Sequence, residues 1–150
     1  MLIQQLNRRD HERIQVSVKN VDGSGSITTG LGVALVSAGA SIDGISSVKY
    51  AAGNVAGFIG VATQDIAIND FGNVTAFGFV NSVVISNVGT SITVTRGDIL
   101  KPGAVAGTFF SSLTPQAMST ILYKYVIAAT TPTAISAAAE AYVSGIVRAI

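Results

Sequence analysis

The chain has 150 residues, with nine Lys or Arg against eight Asp or Glu, one His and no Cys, for a net charge of +1. That balance excludes a general nucleic-acid binder, which would carry a clustered basic excess, and the lack of thiols excludes disulfides and thiolate metal sites. Charged residues are only 11% of the chain, against about 25% in ordinary soluble domains, and mean hydropathy is +0.55. Even so, Gly, Asn, Ser and Thr interrupt the charge-free stretch Phe71 to Thr95, so it lacks the ~20 apolar residues in a row that a spanning helix needs. Neither a membrane span nor a signal peptide is expected.

An apolar, sparsely charged chain outside a membrane risks exposing patches larger than a few hundred Å². A large assembly that covers them is the simplest resolution, and composition alone leads to it.

In chain order, residues 1–13 stand apart. Arg8, Arg9, Asp10, His11, Glu12 and Arg13 cluster there, and charge thins out sharply afterwards. The segment reads as an N-terminal arm that docks on a partner through Leu2, Ile3 and Leu6 with Arg8, Arg9 and Arg13, Arg being well suited to pairing with carboxylates. Residues 14–150 read as a single β domain. Ile14, Val16 and Val18 alternate with polar residues, the period of a strand with one buried face. Asp22-Gly23 ends that strand with turn chemistry. Strands are then expected over Gly32 to Val36, Ile45 to Tyr50 and Phe58 to Ala62, separated by turns at Asp43-Gly44 and Gly53-Asn54.

Asn69 to Gly72 reads as a turn cluster leading into the longest strand signal, Val74 to Ile85. Val74, Ala76, Gly78, Val80 and Val84 are expected on one face, with Phe77, Phe79, Val83 and Ile85 on the other. Both faces are largely apolar, so both should be covered. Ile92 to Thr95 alternates again. Arg96-Gly97-Asp98 and Pro102-Gly103 read as turns, and Val105 to Phe110 as a strand. In the last third, Thr114-Pro115 resembles a helix start, and Met118, Ile121, Leu122 and Tyr125 have helical spacing. A strand over Leu122 to Ala128 is favoured by its β-branched and aromatic residues. Thr131-Pro132 is expected to open a short Ala-rich helix through Ala141, and Tyr142 to Ile150 to form a last strand. Many short strands with frequent turns indicate an all-β fold, a small β-barrel or β-sandwich with an extended N-terminal arm and one short helix at most.

Signatures of catalysis are missing. His11, the only His, lies in the arm, away from any Ser and Asp of triad type. Asp65, Asn69 and Asp70 do not match the spacing of a calcium loop. Asp22, Asp43, Asp65, Asp70, Asp98 and Glu140 are scattered, several of them in turns that favour Asp for its own backbone hydrogen bonds. Gly23-Ser24-Gly25 extends to no phosphate-binding motif. Arg96-Gly97-Asp98 spells an integrin-binding tripeptide but is explained by a turn entering a strand. The expectation is a protein that is not an enzyme and needs no cofactor or metal.

Three segments in the middle of the chain carry a resemblance: Gly60-Val61-Ala62-Thr63-Gln64-Asp65-Ile66, then Gly72-Asn73-Val74, then Gly78-Phe79-Val80. With Thr95-Arg96-Gly97-Asp98-Ile99-Leu100 they resemble a pattern in tailed-bacteriophage structural proteins. Val143-Ser144-Gly145-Ile146-Val147-Arg148-Ala149-Ile150 resembles the closing strand of small capsid cement (decoration) proteins. The resemblance implies a structural virion protein on the outer capsid surface that oligomerises, as a homotrimer before a homodimer, and bridges major capsid protein subunits. It implies no nucleic-acid or membrane partner. On that reading Leu2, Ile3, Leu6, Arg8, Arg9 and Arg13 become capsid contacts. The rival expectation is a phage tail or fibre β-domain that takes part in host attachment.

Overall fold

The computed structural model describes residues 13–36, 44–51, 57–87, 91–102, 105–111, 125–131, 133–137 and 139–149. The docking residues Leu2, Ile3, Leu6, Arg8 and Arg9 lie outside this set, as do Gly53-Asn54, Thr114-Pro115 and residues 118–122. Among the described residues there are eleven strands and no α-helix: β1 Ile14–Asn20, β2 Gly32–Leu35, β3 Ser46–Lys49, β4 Phe58–Ala62, β5 Phe71–Ser86, β6 Ile92–Val94, β7 Ile99–Pro102, β8 Phe109–Ser111, β9 Tyr125–Ala128, β10 Thr133–Ile135 and β11 Glu140–Arg148. The all-β expectation holds.

Nine strands form one sheet in the order β1-β3-β2-β4-β5-β11-β9-β7-β8, and β6 with β10 forms a separate ribbon. The first five close on themselves because β1 also pairs with β5, Val16 opposite Val74 and Val18 opposite Gly72. This is a five-stranded barrel. β5 has 16 residues, long enough to run past the barrel. Its second half pairs with β11, which carries β9, β7 and β8 in turn. Ile85 opposite Phe109 brings β8 back to β5, so a second ring of pairings shares β5 with the first.

Two core clusters follow from this path. Val18, Ile27, Leu31, Val33, Ala62, Ile66, Val74 and Val84 make the smaller. The larger takes Ala34, Tyr50, Phe58 and Val61 from the barrel strands and their flanks, and Val126, Val143 and Val147 from β9 and β11. Adjacent residues of β2, Val33 and Ala34, thus serve different clusters, so this strand is covered on both faces.

The structure corrects the expected faces of β5. Val80 opposes Gly145 while Val83 opposes Val143, so Asn81 and Ser82 together face the single residue Ser144. This bulge shifts the side-chain phase by one residue. Val80 therefore packs in the same cluster as Val83 and Ile85, not with Val74 and Val84. Phe77 and Phe79 are only half-buried.

The Ala-rich helix expected from Thr131 to Ala141 does not form. Thr133, Ala134 and Ile135 pair with Val94, Thr93 and Ile92, while Glu140 and Ala141 pair with Ser86 and Ile85. Burying Ile135 and completing two ladders outweighs the modest intrinsic preference of Ala for helix. The strand expected from Val105 begins only at Phe109. Before it, Thr108 N donates to Val105 O at 3.0 Å around Gly107 at φ +86°, which makes Val105–Thr108 a turn. The turn cluster at 69–72 is shorter than expected. Asn69 adopts a left-handed φ of 67°, and Phe71 and Gly72 already belong to β5.

Candidate functional site

Three of the scattered carboxylates are engaged in loop structure. One Asp22 oxygen accepts from Ser24 N at 2.8 Å and Ser24 Oγ at 2.6 Å, and the other from Lys49 N at 2.9 Å. Partial burial pushes the Asp22 carboxyl up, but the hydrogen bonds from Ser24 and Lys49, with the Lys49 charge, outweigh it and leave the pKa below its ordinary value. Asp65 accepts from Thr29 N at 2.7 Å and Thr29 Oγ1 at 2.9 Å, and these bonds hold its carboxyl low as well. Asp98 accepts from Thr95 N at 2.8 Å and Thr95 Oγ1 at 2.9 Å. The Arg96-Gly97-Asp98 tripeptide is thus a turn whose acid is turned back on its own loop. No group of three His, Cys, Asp or Glu among the described residues is placed to hold a metal ion.

Among the described residues, most of the exposed large apolar side chains fall in two places. The first is the outer face of the sheet. Phe79, Ile146, Ile127 and Ile99 stand directly opposite one another on β5, β11, β9 and β7, so they form one row on one face. The neighbouring row, Gly78, Val147, Val126 and Leu100, is buried on the opposite face. Ile146 is 41% exposed and Ile99 37%, while Phe79 and Ile127 are half-buried. Beside this row Ile14 and Arg148 both register with Phe77, and Tyr142 on β11 is 67% exposed.

The second place is one end of the barrel. Lys19 on β1 is in register with Phe71, and its N–H donates to Ile45 O at 2.9 Å. Around it Phe71 is 60% exposed, Ile68 46% and Ile45 44%. Asn20 fixes the shape of this end. Its side-chain N–H groups donate to Gly25 O at 3.2 Å and Ile66 O at 2.9 Å, and its Oδ1 accepts from Asp22 N at 2.8 Å. Its own carbonyl accepts from Asn69 N at 2.7 Å. A fully buried amide with its bonds made holds two loops in one geometry. Phe71 and Phe79 are eight residues apart on β5, which separates the patches by roughly 25 Å at ~3.3 Å per strand residue.

Of the six arm residues expected to contact a partner, the structure describes only Arg13. It is exposed at the start of β1 and lines a cleft of about 230 Å³ with Thr29, Thr63, Asn81 and Ser82. Pockets that engulf small ligands run to about 300–1,000 Å³, so this cleft is small for such a role. Sequence reasoning missed both apolar patches. The signal was present on β11, where Glu140, Tyr142, Ser144, Ile146 and Arg148 alternate with Ala141, Val143, Gly145 and Val147. The second set is the core set, which leaves Tyr142 and Ile146 facing outward. Phe71, Ile68 and Ile45 carry no such signal, because they sit at strand ends and turns where periodicity is silent.

No protein-family model matches the chain, and no curated protein matches it.

Proposed function

We propose that the chain is a capsid cement (decoration) protein of a tailed bacteriophage, a structural component of the virion that sits on the outer capsid surface and bridges major capsid protein subunits. The observation that carries this reading is the pair of separate exposed apolar patches on a compact, sparsely charged β fold. Bridging needs two adhesive surfaces, one for the shell and one for a second attachment, and weak contacts joined in this way gain strength through effective concentration. Stable interfaces bury about 1,200–2,000 Å² in total, and the composition, poor in Lys and Glu, suits such contacts. The barrel end with Phe71, Ile68 and Ile45 is assigned to the shell, together with the N-terminal arm.

The test is co-pelleting with phage heads assembled without this chain. The wild-type protein is expected to pellet in a fixed ratio to the major capsid protein. Phe71→Asp should reduce the bound fraction by about ten-fold or more, the scale of losing one interface anchor, and should leave the circular dichroism spectrum unchanged. Deleting residues 1–13 should weaken binding in the same way. A wild-type protein that stays in the supernatant overturns the reading and moves the chain to the tail.

A further inference from the structure

We propose that the outer face of β11 is a twofold contact between two copies of this chain. The outward residues of β11 are Glu140, Tyr142, Ser144, Ile146 and Arg148, and Glu140, Tyr142, Ile146 and Arg148 are exposed. Read outward from Ser144, the pattern is self-complementary: Tyr142 and Ile146 lie two residues on either side, and Glu140 and Arg148 four. A twofold axis running between two such faces and crossing β11 at Ser144 lays the two strands antiparallel. Glu140 then meets Arg148 of the partner subunit, Tyr142 covers Ile146 of the partner subunit, and each contact occurs twice. Isologous closure of this kind is the commonest form of homo-oligomer.

Two further observations fix the mode of contact. β11 is hydrogen-bonded along its length to β5 on one side, and over Gly145–Arg148 to β9 on the other, so this half of the strand has both edges taken and a partner meets its outer face through side chains. On the same face the apolar row from Phe79 to Ile99 flanks Ile146 across four strands, with the charged pair at the ends of β11. An apolar centre with a polar rim is the usual anatomy of an interface. Aligned sheets pack face to face at about 10 Å, a spacing that side chains of this size fill. A twofold pair differs from the threefold association that the capsid resemblance puts first. The proposal does not rest on the cement reading, because soluble protein alone tests it.

The experiment is sedimentation equilibrium of the full chain. Wild type is expected to dimerise. Glu140→Arg places like charges against each other twice per dimer, and so does Arg148→Glu. Each should raise the dissociation constant by about ten-fold or more. An equimolar mixture of the two variants should recover a heterodimer, since every facing pair is then opposite in sign. Circular dichroism of each variant confirms that the fold is kept. A second readout uses the absence of Cys from the chain. Ser144→Cys should be joined into a dimer by a short bismaleimide, whereas Thr93→Cys, at the exposed residue of β6, should not. A monomeric or trimeric wild type, a mixture that fails to recover association, or a Ser144→Cys protein that does not cross-link overturns the proposal.

Discussion

Tyr50 shows how burial sets the behaviour of a single group. Its ring lies 4.6 Å from the Phe58 centroid and 5.5 Å from that of Phe109, with Phe58 and Phe109 edge-on to each other at 6.0 Å. Burial among these rings disfavours the phenolate and pushes the Tyr50 pKa up to about 12. The fold therefore prefers the neutral phenol. The stability linked to this group is fully present below the ordinary Tyr value of about 10 and is lost as pH rises from there through about 12. Ultraviolet titration of the four tyrosines should show one phenol ionising last, together with loss of the native spectrum, and Tyr50→Phe should remove that late step. Four phenols that all titrate near the ordinary value while the fold persists would refute the assignment. The carboxylates Asp22 and Asp65 act in the opposite sense. Their lowered values mean stability that is present at neutral pH and lost as pH falls below the ordinary carboxylate range.

At the scale of elements, the barrel depends on how closely β4 can approach β5. Gly60 on β4 has φ +147°, and a Cβ there would run into the Thr75 carbonyl of β5. Gly60→Ala thus combines backbone strain with a clash against a backbone atom that cannot swing away, and it should cost about 3 kcal/mol or more. Urea unfolding measures it, and a loss below about 1 kcal/mol would mean that β4 can shift to make room. Legibility varies from element to element for related reasons. β1 and β4 are visible in sequence because Ile14, Val16 and Val18 alternate and because Phe58 to Ala62 is a bounded apolar run. β5 is visible as a strand, but not its phase, since nothing in Asn81-Ser82 marks them as the two residues that share one partner. β10 is hidden, because Thr133-Ala134-Ile135 owes its conformation to Ile92 to Val94 far along the chain. The candidate surfaces are hidden for the same reason. The row Phe79, Ile146, Ile127 and Ile99 exists only once four strands are in register, whereas residues 1–13 stand out in the sequence by their charge cluster alone.

For the whole molecule, the question is whether the two rings joined through β5 are one cooperative unit. Phe109 on β8 belongs to the second ring, yet its ring packs on Tyr50 and Phe58 and lies so close to Gly32 of β2 that a Cβ there would meet it at 2.7 Å. The larger core cluster likewise draws on both rings, so neither can lose its packing without opening the other. Phe109→Ala should therefore destabilise the entire fold, by about 3–5 kcal/mol, the usual cost of emptying a buried Phe site. Under native conditions its effect should spread evenly, because elements that unfold together share one opening free energy. Hydrogen exchange read at the β2 amides of the barrel and the β9 amides of the second ring should show equal losses of protection. If β9 loses protection while β2 keeps its own, the rings unfold separately and β5 is only a shared edge. If both fall together, the barrel and the second ring open as one unit through the core they share, with Phe109 as its joint.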